Sequence, residues 1–107
     1  MEKSFGLFFH LKKSMKFEKE LAVYMRITTD GLTCEISTKR KCDPDKWNAK
    51  AGRMTGKGDY VNSFNSYLDT LQQKVFESKR RLLELDKKVT AENIKNLILG
   101  KSREMEL

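Results

Sequence analysis

Tyr24, Arg26, Thr28, Thr33, Glu35, Ser37 and Lys39 fall at alternate positions in two short stretches separated by an Asp30-Gly31 pair. An aromatic ring, a guanidinium, hydroxyls and an ammonium on one surface have the chemistry to contact a nucleic acid. Arg26 suits a guanine edge, while hydroxyls and lysines suit phosphate oxygens, where most protein–DNA hydrogen bonds go. Glu35 opposes phosphate, but it can accept from cytosine N4 or orient Arg26 across a strand pair. Lys39, Arg40 and Lys41 form a second cationic group, and Lys12 and Lys13 extend it. The plainer alternative is that Arg26 and Glu35 make an ordinary exposed ion pair, worth under about 1 kcal/mol.

Catalytic chemistry has no comparable constellation. The chain contains no GxSxG, P-loop, GxGxxG or HExxH motif. His10, the single histidine, has no partner that the sequence nominates and is expected on a strand surface. Cys34 and Cys42 stand eight apart without CxxC or HxxxH spacing, so no four-ligand zinc site is expected. Cys34 is expected as a buried free thiol. Asp43 and Asp45 flank Pro44 and are expected to shape a turn. The expectation is a non-enzymatic chain with no cofactor, no metal and no small-molecule substrate.

The elements that would hold the polar face follow from hydrophobic periodicity. Leu21, Val23, Met25 and Ile27 alternate with the polar set, as do Leu32, Cys34 and Ile36 after the turn. A period of two sends one set into a core and the other outward. Asp-Gly between two such runs is a hairpin signal. An aromatic stretch precedes them, with Phe5, Leu7, Phe9 and Leu11 on one face and Phe8, His10 and Lys12 on the other. Strands are expected over 4–11, 21–29 and 32–39, with a charged connection between the first two. Trp47 is expected to plug the end of the core, and residues 48–59, with three glycines, to form a mobile basic loop.

The rest is helical in pattern. Val61, Phe64, Leu68, Leu71, Val75, Leu82 and Leu85 repeat at spacings of three and four, which predicts a helix over 61–85, about 37 Å long. A three-stranded sheet needs only part of that length, so Leu82, Leu83 and Leu85 are expected to overhang. Thr90 is placed to cap a short second helix with Ile94, Leu97 and Ile98 as its buried stripe and Gly100 as its stop. The fold class is α+β, a three-stranded antiparallel sheet packed against a long C-terminal helix and followed by a short one. Residues 1–88 would form the domain, and 89–107 a short helix and linker toward a further domain.

Composition agrees with a polyanion partner. The 107 residues carry 22 Lys+Arg against 15 Asp+Glu, a formal charge of +7. Residues 1–60 hold 13 basic and 8 acidic side chains, while 61–107 hold 9 and 7, so the excess lies on the β half. The length suits one small domain. No apolar run suits a signal peptide or a bilayer span, and the expected location is the cytoplasm, with no membrane partner.

The order Phe9-His10-Leu11-Lys12-Lys13, Val23-Tyr24-Met25-Arg26-Ile27-Thr28, Asp30-Gly31, Glu35-Ile36-Ser37-Thr38 and Asp43-Pro44-Asp45-Lys46-Trp47 resembles a known family. It is similar to the N-terminal arm-type DNA-binding domain of Bacteroides-type tyrosine recombinases, the integrases of phages and conjugative transposons. The later Val89-Thr90 and Ile94…Leu97…Gly100 pattern resembles the stretch leading into their core-binding domain. The resemblance implies a sheet that enters the major groove of arm sites, with other recombinase protomers as partners in the full-length protein. It also implies roles for the Tyr24/Arg26 and Ser37/Thr38 pairs. Relatives often have glycine after the serine-threonine pair, where this chain has Lys39. The family's catalytic residues have no counterpart here.

Sequence-specific double-stranded DNA binding is therefore the expected function. A protein-interaction module using the long helix is the alternative from another class. RNA binding by stacking on Phe8 and Tyr24 is weaker, because the face holds few aromatics.

Overall fold

Alternating apolar residues build three strands, β1 (Phe5–Lys12), β2 (Leu21–Thr29) and β3 (Leu32–Cys42). In the computed structural model, which describes residues 5–13 and 18–100, they form one antiparallel sheet in the order β1-β2-β3. Residues 14–17 of the charged connection, the expected strand start at residue 4, and the tail 101–107 lie outside the described residues. Asp30 and Gly31 both take positive φ, 51° and 84°. Two consecutive left-handed residues make the turn whose twist matches the flanking strands.

The inner face carries the apolar set. Phe9, Val23, Met25, Ile27 and Ile36 are buried there, with Phe5, Leu7, Leu11 and Cys34 packed around them. Leu32 departs from the expected pattern and is 71% exposed. It is the first residue of an edge strand, and its register partner Thr29 takes the covered place. The Cys34 thiol is half-buried rather than buried, whereas Cys42 is fully enclosed and both are free. Burial raises the Cys42 thiol pKa, helped by the nearby Asp43 and Glu20 carboxylates.

β3 runs three residues beyond its expected end because its register with β2 slips. Tyr24 stands opposite Ser37, but the preceding Val23 stands opposite Arg40. Thr38 and Lys39 are the two extra residues of this bulge. The Thr38 hydroxyl donates to the Val23 carbonyl at 2.7 Å and accepts the Arg40 N–H at 3.2 Å. The Ser37 hydroxyl accepts the Lys39 N–H at 3.1 Å, and the Tyr67 hydroxyl donates to the Thr38 carbonyl at 2.8 Å. An insertion of two keeps the pleat in phase, so Cys42 still falls inward and Lys41 outward.

The stretch after β3 is more ordered than its glycines suggest. Asp43 caps a 3-10 turn at Pro44–Lys46 by accepting the Asp45 N–H. Two short strands, β4 (Trp47–Asn48) and β5 (Arg53–Met54), then form a hairpin within the span expected to be a mobile loop. Gly52 makes it possible, with φ 65° and a backbone so close to Phe9 that a Cβ would lie 3.1 Å from the Phe9 carbonyl oxygen. Asn65 clasps both the N–H and the carbonyl of Met54, at 2.9 and 3.0 Å. Met54 is buried, and Trp47 packs half-buried against the core.

Helices α1 (Asp59–Glu84) and α2 (Ala91–Leu99) cover the inner face. Phe64, Leu68, Val75 and Leu82 are the buried stripe of α1. After Leu85 the chain reverses through Asp86 at φ 57°, with the Lys87 N–H returning to the Leu82 carbonyl at 2.8 Å. The Thr90 hydroxyl caps α2 by accepting the Asn93 N–H at 3.0 Å, and the Ala91 N–H donates to the Thr29 hydroxyl at 2.9 Å. Gly100, at φ 77°, closes the helix. Ala91 and Ile94 join the same core as the strands. Leu82 therefore does not overhang, being 3% exposed where α2 folds back beside α1, while Leu83 and Leu85 remain exposed.

Candidate nucleic-acid interface

The side chains opposite the core form a ladder of four rungs across β1, β2 and β3. From the hairpin tip these are Gly6–Thr28–Thr33, Phe8–Arg26–Glu35, His10–Tyr24–Ser37 and Lys12–Ala22–Lys41. Both helices pack on the other face, so these residues look outward. The tip rung is neutral, with the Thr28 and Thr33 hydroxyls 3.0 Å apart. The last rung carries two lysines.

Glu35 is the hub of the face. One carboxylate oxygen accepts from His10 Nε2 at 2.8 Å and from Arg26 Nη2 at 3.4 Å, and the other accepts from Lys12 Nζ at 3.0 Å. The Lys12 ammonium lies 4.6 Å from the centroid of the Tyr24 ring, within cation–π range. The hydrogen bond from Lys12 is the main reason the Glu35 carboxyl titrates below its ordinary value. Burial opposes that shift and His10 reinforces it.

The remaining expected residues are placed differently from one another. Lys41 meets Glu18 at 3.2 Å on the outer side. Lys39 projects from the bulge in a left-handed conformation at φ 63° and is exposed. Lys13 is exposed just past β1. Arg40 is exposed beside Lys39, with the inward Val23 as its register partner and its guanidinium over the Tyr67 ring of α1 at 4.2 Å. Ser37 lies on the face, though its hydroxyl also holds the bulge.

Sequence reasoning missed the partner of His10, whereas Phe8 lies on the outer face where it was expected. Phe8 stands opposite Arg26 and is 41% exposed. The period of two already assigned both residues to the outer face. The missing signal was the register of β1 on β2 and of β2 on β3, which together bring His10 within reach of a carboxylate 25 residues away. Arg53, counted within the basic loop, is tied to Asp69 at 2.9 Å and Gln72 at 3.1 Å and stacks on Phe9.

A shallow recess of about 600 Å³ at the open end of the sheet mixes Glu18, Glu20 and Asp43 with Lys19, Lys41 and Lys46. Among the described residues no group of three His, Cys, Asp or Glu is placed to hold a metal. No helix of the described residues is long and apolar enough to cross a membrane.

Residues 9–95 match the family described as the arm DNA-binding domain. No curated protein and no solved structure matches the chain.

Proposed function

Because this chain belongs to the arm DNA-binding domain family, a non-catalytic DNA-binding family, we propose that it reads duplex DNA by laying the outer face of its sheet in the major groove. That groove is wide enough to admit β-strands as well as a helix. The observation that carries the reading is the uncovered ladder, with Arg26 at its centre and Lys12 and Lys41 at one end. Arg26 faces base edges in this reading. Tyr24, Thr28, Thr33, Ser37, Lys12, Lys13, Lys39 and Lys41 set the orientation through phosphate and sugar contacts. Arg40, stacked on Tyr67, supports the bulge that carries Lys39.

The role proposed for the longer protein is that of a site-specific tyrosine recombinase, or integrase, of a mobile element, in which this module binds arm sites during DNA integration and recombination. A separate core-binding domain would raise the effective concentration of a weak arm contact. A second reading, a protein-contact module, is favoured by the exposure of Leu83 and Leu85 at the end of α1. That end would meet another recombinase protomer.

The test is a titration of duplex DNA at about 50 and 200 mM salt, with Arg26→Ala alongside. Each phosphate neutralised contributes about −0.9 to the log–log salt slope. Arg26→Ala is expected to weaken binding by about 1–3 kcal/mol. Affinity indifferent both to salt and to the substitution would overturn the DNA-face assignment and leave the protein-contact reading.

A further inference from the structure

Resting on the groove-reading assignment of the outer face, we propose that Glu35 is the specificity-determining residue of that face. It restrains the neighbouring cations from gripping phosphate on any sequence, and it pairs well only with a base edge that offers a hydrogen-bond donor.

The geometry carries this in two ways. The Glu35 carboxylate takes His10 and Arg26 on one oxygen and Lys12 on the other. Lys12, a phosphate donor in the groove-reading assignment, is thus already held by an internal anion, as are His10 and Arg26 beside it. The Arg26 contact is the longest of the three, at 3.4 Å, and its side chain is 47% exposed. Its guanidinium is positioned yet free to turn to a base.

Arg26 and Glu35 also stand directly opposite each other on neighbouring strands. They present a donor and an acceptor side by side. In the major groove a G·C pair offers the matching order, guanine O6 and N7 as acceptors beside the cytosine N4 amino donor. Where the base opposite Glu35 offers only an acceptor, two acceptors meet with no donor between them, and that repulsion rejects the sequence.

The test uses the 107-residue chain and a pool of random duplexes about 20 bp long, from which the wild type selects its preferred sequence. The readout is the ratio of affinity for that sequence to affinity for the pool. Glu35→Gln is expected to tighten pool binding about 3- to 10-fold and to lower the ratio about 10-fold or more. Glu77→Gln, on the far side in α1, removes the same charge and is expected to leave the ratio unchanged. Should the glutamine variant fail to fold, Glu35→Asp keeps the charge but withdraws the carboxylate by one methylene, and it should lower the ratio without tightening pool binding. A Glu35 variant that keeps the wild-type ratio overturns the proposal while DNA binding stands. A wild type that selects no sequence from the pool even at low salt overturns the groove-reading assignment, and this proposal with it.

Discussion

The Thr38 hydroxyl donates a 2.7 Å hydrogen bond to the Val23 carbonyl across the point where β3 slips by two residues against β2. Thr38 is 1% exposed, and the same hydroxyl accepts the Arg40 N–H. One side chain therefore satisfies a donor and an acceptor that the slipped register takes out of the ladder. Thr38→Val keeps the shape but takes the hydroxyl from the Val23 carbonyl in the interior and from the part-buried Arg40 N–H. The expected cost is about 1–3 kcal/mol, measured as a lower urea midpoint with an unchanged m-value. A loss under about 0.5 kcal/mol would show that the bulge needs no such support.

Lys39 occupies the left-handed region at φ 63°, where an L-residue is disfavoured by about 1–2 kcal/mol. Glycine relieves that strain and gives back about 0.5–1 kcal/mol in unfolded-state entropy. Lys39→Gly is thus expected to stabilise the fold by about 0.5–1 kcal/mol. It also removes a cation from the proposed interface, so the salt slope of DNA binding should fall by about 1. A stability gain with an unaltered slope would place Lys39 off the DNA.

Ile94 is fully buried between α2 and the rest of the core. Ile94→Ala should cost about 2–5 kcal/mol, the range for a large aliphatic side chain truncated in a packed interior. Urea denaturation followed by far-UV circular dichroism would measure it. A near-zero effect would mean that α2 is an appendage in solution.

Glu35 gives the acid limb of stability a defined sign. Its folded-state pKa lies below the ordinary carboxylate value because of the Lys12 hydrogen bond, with His10 adding to it. A lowered pKa contributes stability above the unfolded-state pKa, and that stability is lost as pH falls through the folded-state value. The wild type should therefore exceed Glu35→Gln in stability at pH 7. The gap should narrow as pH falls below the ordinary carboxylate range toward the lowered folded-state value, as seen in urea midpoints at neutral and at acid pH. A gap of equal size at both would show that the network holds no charge-dependent stability.

Much of the architecture was legible one element at a time. The alternation of Val23, Met25 and Ile27 against Tyr24, Arg26 and Thr28 assigned both faces of β2. Phe64, Leu68 and Val75 gave the buried stripe of α1, and Thr90 and Gly100 marked the ends of α2. The hairpin at 47–54 was hidden, because two-residue strands have no periodicity and are held by Asn65 and Gly52 rather than by their own pattern. The site was half legible: the side chains facing outward were evident, but not which of them meet.

Sequence alone determined the composition of the outer face, since backbone pleating fixes which residues share a side whatever lies across from them. Only the tertiary structure decided that Glu35 gathers His10, Lys12 and Arg26, that Arg40 turns to Tyr67, and that Leu82 is covered by a returning helix. Those outcomes depend on strand register, on a two-residue bulge and on helix docking. All three are set by contacts between distant segments rather than by the local chain.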